Sequence, residues 1–94
     1  MKTRFVVELI GRCEAIINQP MKSVRENSCA CEGFSKALQM AELMTDQQFS
    51  LYGEWVAAAG KFRHYRDDTT NERHLTYRTV YMTAGDSFKE AIGY

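Results

Sequence analysis

Neither sign of charge is in excess: 12 Lys and Arg offset 12 Asp and Glu. The balance removes the strong basic field by which proteins hold nucleic acid mainly through phosphates, and it makes self-association easier. A run of about 18 apolar residues, the length a membrane-crossing helix needs, is missing too. The N-terminus lacks the pattern of a secretory leader, because Glu8 and Arg12 interrupt its apolar run and no small-residue cleavage site follows. Cysteine is scarce and odd in number. Cys13, Cys29 and Cys31 have no disulfide-framework spacing, so they read as reduced thiols of a cytoplasmic protein. Proline occurs once, at Pro20. Internal repeats, low-complexity tracts and linkers are absent as well, so residues 1–94 read as one domain, with a core at 1–66 and a tail at 67–94.

What is present is helical periodicity. Val6, Leu9, Ile10, Cys13, Ile16 and Ile17 recur at steps of three and four, which predicts a helix over 3–18 with Thr3 as its cap. A strand over 4–10 competes, since Phe5, Val6 and Val7 favour strands, but the helical period continues past Gly11. Gln19-Pro20 ends the element. A second helical pattern runs over 22–44, weakened around Asn27, Ser28 and Gly33, where fraying or a kink is expected. A third runs over 46–66 with the widest apolar face: Phe49, Leu51, Tyr52, Trp55, Val56, Ala58, Ala59 and Phe62.

The clearest local signal joins the last two. Thr45 and Gln48 have the spacing of a capping box, Met44 and Phe49 that of a hydrophobic staple, and Asp46 places negative charge in the first turn. A helical hairpin at Thr45 is therefore expected. Ser50, Gly53, Ala57 and Gly60 form a line of small residues that should seat the first or second helix; a homodimer seam is the sharper alternative.

Asp67 to Asn71 is a polar break, after which Thr, Tyr and Val dominate 75–83 and Tyr77, Thr79 and Tyr81 alternate with Arg78, Val80 and Met82. That alternation predicts a strand. Asp86 would cap a short helix over 87–92, ended by Gly93. The expected fold is thus mainly α, a small three-helix domain with a strand-containing tail, or α+β if the tail strand pairs with the N-terminal segment.

No motif carries chemistry alone. Cys29 and Cys31 stand two apart in a helix and point to nearly opposite sides, so they do not share a metal. His64 near Asp67 or Asp68, and His74 near Glu72, lack a nucleophile or oxyanion hole beside them. The chain therefore reads as non-enzymatic, without cofactor or metal. Tyr77, Arg78 and Tyr81 are the candidate partner-binding residues, because tyrosine and arginine are enriched at interface hot spots; the competing role for the tyrosines is to cover the helices. Lys61, Arg63 and Arg66, interleaved with Phe62 and Tyr65, are the alternative: a nucleic-acid contact, or a basic last turn complementing its helix dipole.

The stretch Phe34-Ser-Lys-Ala-Leu-Gln-Met-Ala-Glu-Leu-Met-Thr-Asp-Gln-Gln-Phe49, a compact helical pair followed by a short polar tail, resembles small accessory proteins carried by bacteriophages and prophages. The resemblance implies a stoichiometric binder that modulates or inhibits a host protein complex in defence or nucleic-acid processing. A small transcription-regulatory or other nucleic-acid-binding protein is the alternative.

Overall fold

The computed structural model describes all 94 residues and contains four α-helices and no strand. α1 spans Thr3–Asn18 and buries Val6, Leu9, Ile10, Cys13 and Ile16, the predicted stripe. Thr3 is its first helical residue; the capping position belongs to Lys2, whose side chain makes no cap bond. Gln19, extended ahead of Pro20, stops the helix.

A single 3-10 turn, Met21–Ser23, leads into α2, Val24–Met40. The helix passes unbroken through Asn27, Ser28 and Gly33, where a kink was expected. Asn27 stays helical while its amide donates to the Ala15 carbonyl at the end of α1, 3.4 Å away, and to Gln19. Tertiary contact here outweighs weak propensity.

α2 ends four residues before Met44. The Leu43 N–H donates to the Leu38 carbonyl and the Glu42 N–H to that of Gln39, while Glu42 adopts φ 60°. Those two bonds and one left-handed residue are a Schellman ending, here without its usual glycine. The chain then reverses into α3, Asp46–Arg63. The capping box forms as read: the Gln48 N–H donates to the Thr45 hydroxyl at 3.1 Å, and the Thr45 N–H to the Gln48 side chain at 3.0 Å. Thr45→Ala should therefore lower the unfolding free energy by about 1 kcal/mol in denaturant titration, with an unchanged slope.

The tail differs most from expectation. Residues 72–91, predicted to hold a strand and a separate short helix, form one continuous helix, α4, Glu72–Ala91. Asp86 lies inside it and caps nothing. The cap is Asn71, whose side chain accepts from the Arg73 N–H at 2.9 Å. The last turn closes with a second Schellman ending, on Gly93 at φ 74°. With no strand in the tail, the α+β alternative falls too.

α1, α2 and α3 pack against one another, whereas α4 makes its extensive contacts with α3 alone. α3 thus lies at the centre of the domain, which measures 42 × 25 × 18 Å. Its Trp55 and Tyr52 meet Phe88 of α4 at 5.9 and 5.0 Å between ring centroids. The Tyr52 hydroxyl donates to the Leu9 carbonyl of α1. Cys13 and Cys31 are buried near Tyr52, and burial pushes both thiols up, away from reactive thiolate.

Candidate protein-binding surface on the fourth helix

The loop between α3 and α4 is tied down before α4 begins. Tyr65 stacks on Tyr77 with centroids 5.0 Å apart and planes 13° from parallel. His74 sits over the edge of Phe62 and lies 2.6 Å from the Tyr65 carbonyl. A carbonyl only accepts, so the proton is on Nδ1 of that ring. Both contacts pin the first two turns of α4 to the end of α3.

The inward face of α4 follows from that anchoring: Tyr77, Tyr81, Ala84, Gly85, Phe88 and Ile92 turn toward the core. The three residues read together as a contact are divided. Tyr81 is 6% exposed and packs between Trp55 and Phe62, at 5.9 Å from each ring; burial pushes its hydroxyl pKa up. Tyr77 is half-buried under Tyr65. Only Arg78 is exposed.

Beside Arg78 stand two apolar side chains that reading by alternation did not select. Leu75 is 64% exposed and Met82 50% exposed. Leu75, Arg78 and Met82 are three, four and seven residues apart, so they share one side of the helix. Next to Met82 opens a cleft of about 200 Å³ lined by Glu14, Trp55, Tyr81, Gly85, Asp86 and Lys89. The Lys89 ammonium lies 5.5 Å from the centre of a Trp55 ring. This strip and its cleft could have been found in the sequence only by projecting 72–91 on a helical wheel, which the Thr- and Tyr-rich composition argued against.

The basic group at the end of α3 has another occupation. Arg63 is 6% exposed; its Nε donates to the Gln19 carbonyl at 2.8 Å, and its Nη1 lies 3.4 Å from Asp67. Arg66 donates to the Ile17 carbonyl at 2.5 Å and holds Asp67 with two further bonds. That pairing keeps the Asp67 carboxyl below its ordinary pKa range. Two of the three cations thus satisfy carbonyls at the open end of α1, and Lys61 alone extends into solvent. His64 is exposed at the C-cap of α3, where its ring suits the helix dipole. Cys29 is exposed and Cys31 buried, so the two thiols face different surroundings.

No protein-family model matches the chain, and neither a curated protein nor a solved structure shows significant similarity to it. No helix is long and apolar enough to cross a membrane.

Proposed function

We propose that the chain is a non-enzymatic protein-binding module that acts stoichiometrically on a host protein complex, as phage-type accessory proteins do, in the cytoplasm. The observation that carries it is the outer strip of α4. A 20-residue helix packed against a single neighbour leaves Leu75 and Met82 in water with Arg78 between them. Apolar side chains at helical spacing around an arginine are the anchors by which a helix docks on a partner protein. The cleft beside Met82 offers a recess for one side chain of that partner. Tyr81, by contrast, supports the strip from behind, through Trp55 and Phe62.

The test is affinity capture from a bacterial lysate with and without nuclease, comparing the native chain with the double variant Leu75→Asp, Met82→Asp. Both positions are exposed, so the variant keeps its far-ultraviolet dichroism. A protein held in stoichiometric amount by the native chain after nuclease, and depleted at least about tenfold from the variant, is the expected result. Equal capture by both chains would remove α4 as the contact. Retention only of nuclease-sensitive material would favour a nucleic-acid role.

A further inference from the structure

Of the line Ser50, Gly53, Ala57 and Gly60, expected to seat α1 or α2, only Gly60 does so, a Cβ built on it standing 4.0 Å from Val24 of α2. Ser50, Gly53 and Ala57 are exposed, on the side of α3 turned away from its packed residues, and only Gly60 is half-buried. Grooves flank this face. One, between α3 and α4, is lined by Glu54, Thr79, Val80, Thr83, Ala84 and Ser87. The other, between α2 and α3, is lined by Cys29, Glu32, Gly33, Lys36, Phe49 and Gly53. Val80 is 48% exposed at the first, and beyond the adjacent backbone and chain neighbours nothing lies within 4 Å of where a Cβ would stand on Gly33 or Gly53. The face is therefore open, shallow and mostly uncharged.

Its charges identify an occupant. Glu54 and Lys61 are both exposed, and neither belongs to an ion pair in the chain, whose salt bridges are Arg12 with Glu8 and Arg63 and Arg66 with Asp67. Seven residues are close to two helical turns, so Glu54 and Lys61 lie on the same side of α3, about 10 Å apart along its axis, too far to meet each other. We propose that a second copy of this chain docks here, α3 against α3 in antiparallel orientation, about a dyad between Ala57 and Ala58. A dyad perpendicular to the helix reverses its direction and keeps each side chain on its own side of the seam. It sets Glu54 opposite Lys61 of the partner subunit, and Lys61 opposite Glu54 of the partner subunit, in two identical pairs. Ser50, Gly53 and Ala57 along the middle allow the two backbones to approach closely. A parallel arrangement would bring identical charges to the same level, so the charge pattern selects the antiparallel one. The outer strip of α4, with Leu75 and Met82, lies on another side of the molecule and stays free.

Sedimentation equilibrium over a concentration series tests this, with circular dichroism as the folding control. The native chain should be dimeric at high concentration. Glu54→Lys and Lys61→Glu, each placing like charges in apposition, should raise the dimer dissociation constant roughly tenfold or more. The double variant Glu54→Lys, Lys61→Glu should restore it to within about threefold of the native value, because the pairing is only inverted. Ala57→Arg should give a folded monomer. A native chain monomeric throughout, single variants that associate normally, a double variant no better than the singles, or a dimer that survives Ala57→Arg would each overturn the proposal. So would loss of the dimer in Leu75→Asp, Met82→Asp, which would move the seam to α4.

Discussion

Replacing Gly85 with alanine should destabilise the protein, although the same change elsewhere in a helix is favourable. Gly85 is buried inside α4, and a Cβ built on it would lie 2.7 Å from Nε1 and 2.8 Å from Cε2 of Trp55. Those are rigid indole atoms, held by Phe88, Tyr81 and Tyr52, so the contact is relieved only by moving α4 away from α3. Overpacking of this kind costs about 1–3 kcal/mol, against a helix-propensity gain of about 1 kcal/mol for Gly→Ala. With the clash at the upper end, a net loss of about 2 kcal/mol is expected by denaturant titration. A second background separates the clash from other causes. Trp55→Leu removes the offending atoms, along with an indole N–H that is buried without an acceptor. Trp55→Leu alone should be destabilising, by about 2–4 kcal/mol for lost aromatic packing. In that background Gly85→Ala should become neutral or stabilising. Additive losses in the double variant would show that Gly85 is required for a reason other than Trp55.

The tail departs from its expected strand because its spacing is ambiguous. Tyr77 and Tyr81 are four apart, and a spacing of four fits both a two-residue and a 3.6-residue period. The residues that distinguish the periods are Thr79, which a strand would place beside the tyrosines and which is exposed, and Ala84 and Phe88, which only a helix brings to their side. Threonine, valine and tyrosine tipped the choice by local preference, a weak prior that burial against α3 overrides. Of the end signals, Gly93 is the expected stop, whereas Asn71, expected only as part of a polar break, is the cap and Glu72 stands in the first turn. Around Thr45 every local signal agreed, and the helix start is at the residue predicted. The end of α2 was displaced because Glu42 occupies a left-handed position that usually announces itself with glycine or asparagine.

The surface was less legible than the core for a related reason. A core residue is identified by its period, but an exposed one is identified only by what fails to cover it. Leu75, Val80 and Met82 fit a buried pattern as well as an exposed one until the number of neighbours around α4 is known. Small residues usually serve close packing within a chain, which makes Ser50, Gly53 and Ala57 an expected inward seam. They face outward here because the larger residues Tyr52, Trp55, Val56 and Phe62 already occupy the side of α3 that meets its three neighbours.

Arg63 provides the second large expected effect, and it distinguishes a structural cation from a binding one. α1 stops at Gln19 without a left-handed residue to fold the chain back over its last carbonyls. Side chains from elsewhere satisfy several of them: Asn27 reaches Ala15, Arg66 reaches Ile17, and Arg63 reaches Gln19. Arg63 is the buried member, with its guanidinium held between the Gln19 carbonyl and Asp67. Arg63→Ala should cost about 2 kcal/mol, the scale of a hydrogen bond to a charged group, and lower the melting temperature by roughly 10 °C in a domain of this size. Arg63→Met retains much of the apolar stem and loses only the head group, so the difference between the variants measures packing against hydrogen bonding. Lys61→Ala, at an exposed position without an ion pair, should leave the melting temperature of the monomer within about 2 °C. If Arg63→Ala instead melted like the native chain, the arginine would be dispensable to the fold, and the basic end of α3 would be available for an anionic partner. The expected loss ties Arg63 to the junction of α1 and α3, where its positive charge is already committed to the protein's own carbonyl and carboxylate.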